Sequence, residues 1–143
     1  MVVYLNIGLP EKCTMTIKVK YLEEGQGIEF ILSGVVHGSD IIEIHKEIHS
    51  PKVVAKLKFK IIDKSNVTEN YVSVEEVKAI SELDTNINDI NGNIITAFIS
   101  PNDLVRSLGD LWKEYIKDSS DSIRTFETRE EANKWLATKL DKA

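Results

Sequence analysis

Cysteine is nearly absent: Cys13 stands alone in 143 residues. That excludes a disulfide framework, a Cys-x-x-Cys redox pair and a thiolate metal site. Positive charge is also in deficit, with 18 Lys and Arg against 23 Asp and Glu, for a formal net charge of −5. A general nucleic-acid surface needs the opposite excess, so none is expected. The balance also disfavours docking on anionic membranes. No run is long and apolar enough to span a bilayer, so no membrane insertion is expected. The start, Met1-Val2-Val3-Tyr4-Leu5-Asn6-Ile7, has no basic segment before its apolar residues and reads as a strand instead of a signal peptide. Cytoplasmic localisation is the expectation. Glycine-rich phosphate loops are missing too: Gly25-Gln26-Gly27 precedes a strand and so reads as a hairpin turn. No Gly-x-Ser-x-Gly elbow occurs.

What is present is ordinary globular material, 42% hydrophobic and 29% charged. A chain of this length buries roughly two-thirds of its unfolded surface and supports a core without metal or disulfide. A single domain over residues 1–143 is expected. Residues 14–22 alternate Met15, Ile17, Val19 and Tyr21 with polar partners, the period of a half-solvated strand. Gly8-Leu9-Pro10 breaks the strand before it. Residues 28–32 form its hairpin mate, closed by Ser33-Gly34. Ser39 is read as the cap of a helix over 40–49, with Pro51 beyond its end. A strand over 57–62 runs into a polar loop, and Ser73 opens a helix of 74–83, with Glu76 at capping-box spacing. Residues 84–93, rich in Asp and Asn, read as a loop. The nearly continuous apolar run 94–99 reads as a central strand. Ser100-Pro101-Asn102-Asp103 starts a helix to Ile116 that should bury Leu104, Leu108, Leu111, Trp112 and Tyr115. After a turn at residues 118–121, a strand at 122–126 leads to a last helix opened by Thr128 and Glu131. After the opening strands, strands and helices alternate, so the fold class is α/β: a mixed, mostly parallel sheet with an antiparallel N-terminal hairpin and about four helices. Lys58 and Lys60 resist this, lying on one face of a strand that should be internal.

Few residues suggest chemistry. His37, His45 and His49 lie close in sequence, the latter two at a zinc-compatible spacing of four. The Glu of His-Lys-Glu-Ile-His is out of register for a metalloprotease. The simpler reading is boundary histidines bonded to backbone or water. A His45/His49 metal site is the one exception to an expectation of no metal and no enzyme. Asp84, Asn86 and Asn88 resemble a calcium loop, but Asp89 and Ile95 occupy the positions that need Gly and Glu. No cofactor is expected. Ser73 reads first as a cap, contributing about 1 kcal/mol; the same position could carry a phosphate.

Several phrases together resemble one family. They are Leu32-Ser33-Gly34, Ile61-Ile62-Asp63-Lys64-Ser65-Asn66-Val67, the Ser-Pro-x-x-Leu start at Ser100, and Phe126-Glu127-Thr128-Arg129-Glu130-Glu131-Ala132-Asn133-Lys134-Trp135-Leu136. Over about residues 15–140 the chain resembles the STAS / SpoIIAA-like group, in its uncharacterised bacterial and archaeal branch. The resemblance implies a SpoIIAA-like fold and a non-enzymatic interaction or regulatory module. The group's anti-sigma-factor antagonists bind proteins and are switched by serine phosphorylation; other members are thought to bind small molecules or lipids. Asp63, Ser65 and Val67 match the antagonists' Asp-x-Ser-x-Val, and Ser73 matches their phosphorylated serine. Tyr71, Val72 and Val74 replace the rest of that motif. Asp63, Ser65 and Ser73 are therefore the expected interaction or switch surface. The expected partner is a protein, or alternatively a small apolar molecule or lipid held between sheet and helices. A homodimer is compatible with the half-exposed strands.

Overall fold

The computed structural model describes residues 2–7, 15–116 and 121–140, with only the backbone course given for 2–7. Cys13, the break at Gly8-Leu9-Pro10 and the start of the turn at 118–121 lie outside the described residues. Six strands form one sheet: β1 (Val2–Ile7), β2 (Met15–Leu22), β3 (Gly27–His37), β4 (Phe59–Tyr71), β5 (Ile95–Ile99) and β6 (Ile123–Phe126). Their order across the sheet is their order along the chain. The β1–β2 and β2–β3 pairs are antiparallel, and the pairs from β3 to β6 are parallel. The α/β class and the mixed, mostly parallel sheet are as the sequence leads one to expect.

Five helices accompany the strands: α1 (Gly38–Ile48), α2 (Pro51–Lys56), α3 (Val74–Ile90), α4 (Asp103–Tyr115) and α5 (Arg129–Leu140). The expected number was about four; α2 is the addition. Pro51 lies beyond the end of α1, as expected, and also opens α2, at the position where its missing N–H is no loss; the Ser50 hydroxyl accepts the Val53 amide at 3.3 Å. The cap of α1 is the backbone of His37, so Ser39 lies inside the helix. Asn102 caps α4 in place of Ser100, accepting the Val105 amide at 3.1 Å. Ser100 instead is buried and accepts the Asn102 amide.

Two elements run well beyond their sequence boundaries. β3 does not close at Ser33-Gly34 but continues to His37, and β4 continues through the segment read as a polar loop to Tyr71. Their pairing shifts register twice, between Ile31 and Ser33 and again between Gly34 and Val35, each time with one extra residue on β4. Such bulges bend a strand and reverse which residues face the core, so the alternation that marks a strand disappears from residues 63–71. Gly34, at φ +81°, takes the left-handed conformation beside the second shift. α3 likewise absorbs most of the supposed loop 84–93. Its inward stripe, Val77, Ile80, Asp84 and Ile87, keeps helical spacing throughout.

Helices α1, α3 and α4 pack side by side on one sheet face. There Met15, Ile17, Val19, Ile28, Phe30 and Leu32 meet Ile44 and Val54, while Phe98 meets Val77, Val105 and Trp112. α5 covers the opposite face, where Ala132 and Leu136 seal Phe59, Ile61, Ala97 and Ile99. Leu104 and Tyr115 were expected inside, yet Leu104, in the first turn of α4, is 78% exposed and Tyr115, at its end, is 40% exposed.

α4 approaches β5 closely because it carries Gly109, where an added Cβ would fall 2.9 Å from the Phe98 ring and 3.2 Å from the Thr125 methyl. Gly109→Val is expected to lower stability by about 1–3 kcal/mol through overpacking. Chemical denaturation of the two proteins measures it; an unchanged midpoint would contradict the close approach.

Candidate functional site

On the helix-covered face of the sheet, a partly open pocket of about 110 Å³ lies between β2–β5 and helices α1, α3 and α4. Its walls are apolar, among them Phe30, Ile44, Ile62, Ile80 and Leu108. Charged residues reach it from β4, because Lys60 and Ile62 before the first bulge and Lys64 at it all line this face. This answers the difficulty raised by the lysines. Lys58 is exposed just ahead of the strand, whereas Lys60 is buried and compensated.

The compensation comes from Asp84 on α3. Its Oδ1 accepts from His45 Nε2 at 2.6 Å and from Lys60 Nζ at 3.4 Å, and its Oδ2 accepts from Trp112 Nε1 at 2.7 Å. His49 completes the network. Its Nε2 accepts from Lys60 at 3.4 Å, and its Nδ1 donates to the His45 carbonyl at 2.9 Å, an arrangement that assigns the neutral tautomer. The two imidazoles stack at 4.2 Å. Burial alone would push the Asp84 carboxyl up, but the Lys60 charge and the hydrogen bonds from His45 and Trp112 outweigh it and hold the group well below the usual carboxylate range. Burial, reinforced by Lys60 and His45, pushes His49 down to about 3. Among the described residues no buried side-chain nitrogen or oxygen lacks a partner.

His45 and His49 thus turn inward but face protein groups. Among the described residues no three His, Cys, Asp or Glu side chains converge as a metal site. His37 lies apart, stacked on Tyr71 at 5.3 Å.

The three residues expected to form a surface are distributed differently. Asp63 points to the α5 face, where its Oδ2 accepts from Arg129 at 3.3 Å and its Oδ1 accepts the Ser65 amide at 2.9 Å. Arg129 also binds Glu29 at 2.5 Å, and Lys20 lies 4.0 Å from the same carboxylate. Ser65 is an exposed strand residue. Ser73 caps α3 with the full reciprocal box: its hydroxyl accepts the Glu76 amide at 3.1 Å, and Glu76 accepts the Ser73 amide at 2.9 Å. The side chains of Asp63 and Ser73 therefore serve separate contacts, and the polar centre of the helix-covered face is Asp84. Sequence reasoning missed Asp84 because the Asp- and Asn-rich run around it suggested a loop. The available signal was its spacing of seven from Val77, in step with Ile80 and Ile87.

Comparison with family models, with curated proteins and with solved structures gave no match. No helix among the described residues is long and apolar enough to cross a membrane.

The buried network makes stability depend on acid. The His49 folded pKa lies below its unfolded value, so the unfolded chain takes up the proton first. Its contribution is complete above about pH 6.5 and declines as pH falls toward 3, with a slope of at most about 1.4 kcal/mol per pH unit. Asp84, also held below its unfolded value, adds a further loss below about pH 4. His49→Gln, which keeps an acceptor for Lys60, should flatten the decline between pH 6.5 and 4. Denaturation midpoints of both proteins across that range test this, and parallel curves would exclude His49 as the source.

Proposed function

We propose that this protein is a non-enzymatic binding module whose ligand is a small, largely apolar molecule held between the sheet and helices α1, α3 and α4. The observation that carries the reading is the cavity itself: about 110 Å³ of space behind apolar walls, with the polar groups at its floor already engaged with one another. Well-packed interiors rarely leave voids of this size. An engineered apolar cavity of about 150 Å³ takes up benzene, so the space suits a ring or a short branched chain more than a whole acyl chain. Of the two ligand classes open to the sequence, a small molecule therefore fits better than a lipid. The resemblance to the STAS group and the mixed sheet support a binding role; the intact Lys60–Asp84–His45 network supports a structural floor over a reacting centre.

A second reading, docking of a protein partner, has its own support. Leu104 and Val74 are exposed in the first turns of α4 and α3, and Tyr71 is exposed at the end of β4, two residues before the Ser73 cap. In its self-association form it predicts a concentration-dependent mass by light scattering that Leu104→Glu reduces; a monomer at every concentration would remove it.

For the leading reading, Trp112 is a built-in reporter, since it lines the cavity. In Trp135→Phe, the one remaining tryptophan should change its fluorescence saturably on titration with toluene. Adding Ile80→Phe, which puts volume into the cavity wall, should abolish the response while the circular dichroism spectrum stays unchanged. A flat toluene titration, or an undiminished response after filling, would refute cavity binding.

A further inference from the structure

The cavity holds three fixed charges, and they do not balance. Lys60 and Asp84 pair. Lys64, four residues further along β4 and also facing the cavity, has no such partner among the described residues. Its side chain is buried, with the residue only 7% exposed, and it lines the cavity. Among the described residues its ammonium makes one hydrogen bond, to the Asn70 amide oxygen at 3.0 Å, and stands 5.7 Å from the Phe98 ring centre. No carboxylate lies within ion-pairing distance of it among those residues. An ammonium has three N–H donors. A neutral amide and a ring face satisfy a buried cation poorly, and buried charges ordinarily have a counter-charge. Burial accordingly pushes Lys64 down to about 8, which still leaves it mostly protonated near pH 7.

Resting on the cavity-binding reading, we propose that the ligand is a small monocarboxylate, its apolar body in the cavity and its carboxylate on the Lys64 ammonium beside Asn70. The charge count selects this class. One uncompensated lysine matches one negative charge, whereas a doubly charged phosphate would face, among the described residues, Lys64 without an acid and the already paired Asp84. The Asn70 amide sits on the same ammonium and can offer its N–H to the second carboxylate oxygen. The wall residues Phe98, Ile62 and Leu108 take a ring or branched chain, which brings the required volume down to that of benzoate or isovalerate.

The test compares each acid with its amide, which has nearly the same shape and no charge. In the Trp135→Phe background, benzoate and isovalerate should bind at least about tenfold more tightly than benzamide and isovaleramide at pH 7, the gain of a hydrogen bond to a charged group. Lys64→Met should bring the ratio near one while toluene binding persists. This variant should fold, since it replaces an uncompensated buried cation by an apolar chain of similar length; Lys64→Gln, polar but uncharged, provides a second route to the same loss. Equal binding of acid and amide by the wild-type pocket, or a preference that survives both substitutions, would overturn the carboxylate assignment. If toluene binds and the acids show no advantage, cavity binding stands and this inference falls; if no probe binds, both fall.

Discussion

The Asp84 carboxylate joins four elements at one point. Placed on α3, it receives His45 from α1, Lys60 from β4 and Trp112 from α4. These are the helices and the strand that bound the cavity, so their spacing depends on one acidic group. A buried ion pair is not in itself a strong source of stability, because desolvation opposes the attraction. Its effect here is on geometry. Each donor has one satisfactory place to go, and a rotation of α1 or α4 would leave a buried polar group without a partner, which costs about 1–3 kcal/mol. An all-aliphatic junction would tolerate such rotations more readily and would let the helices settle onto the sheet. The network holds them apart at fixed positions, and the cavity is the space that results.

The contrast between the two sheet faces follows from where charge is placed along β4. Even-numbered positions as far as the first bulge, Lys60 before it and Lys64 at it, line the helix-covered side, while Phe59, Ile61 and Asp63 face α5. On the α5 side, charges are matched across elements: Arg129 binds Glu29 and Asp63, and Lys20 approaches Glu29. On the helix side, Lys64 is the exception. Among the described residues, the buried lysine without an acid on the helix side contrasts with the ion pairs on the α5 side, and the difference is local to that face.

Much of the architecture was legible in the chain. The alternation of Met15, Ile17 and Val19, the apolar run into Ile99, and the capping residues Ser73 and Thr128 each express a local rule that the fold obeys. The failures also have physical causes. β4 was cut short because two bulges erase its alternation. α3 was cut short because Asp84, Asn86 and Asn88 are typical of turns, and only tertiary contacts make Asp84 favourable in a helix. Leu104 was placed inside because its type suggests burial; its position in the first turn of α4 leaves it outside. The candidate site was least legible, since its decisive pairs, Asp84 with Lys60 and Lys64 with no acid, involve residues far apart in sequence or a partner that is missing among the described residues.

Strand order that equals chain order has a consequence for how the molecule assembles. Each new strand can add to an edge that already exists, and no earlier strand must part to admit a later one. Contacts between sequence neighbours form at low loop-closure cost, which favours rapid growth of the sheet. The cavity does not share this gradual build-up. Its walls run from Met15 on β2 to Trp112 on α4, so it is open on one side until α4 docks. The Trp112–Asp84 hydrogen bond, between residues 28 apart in the chain, ties that wall to α3.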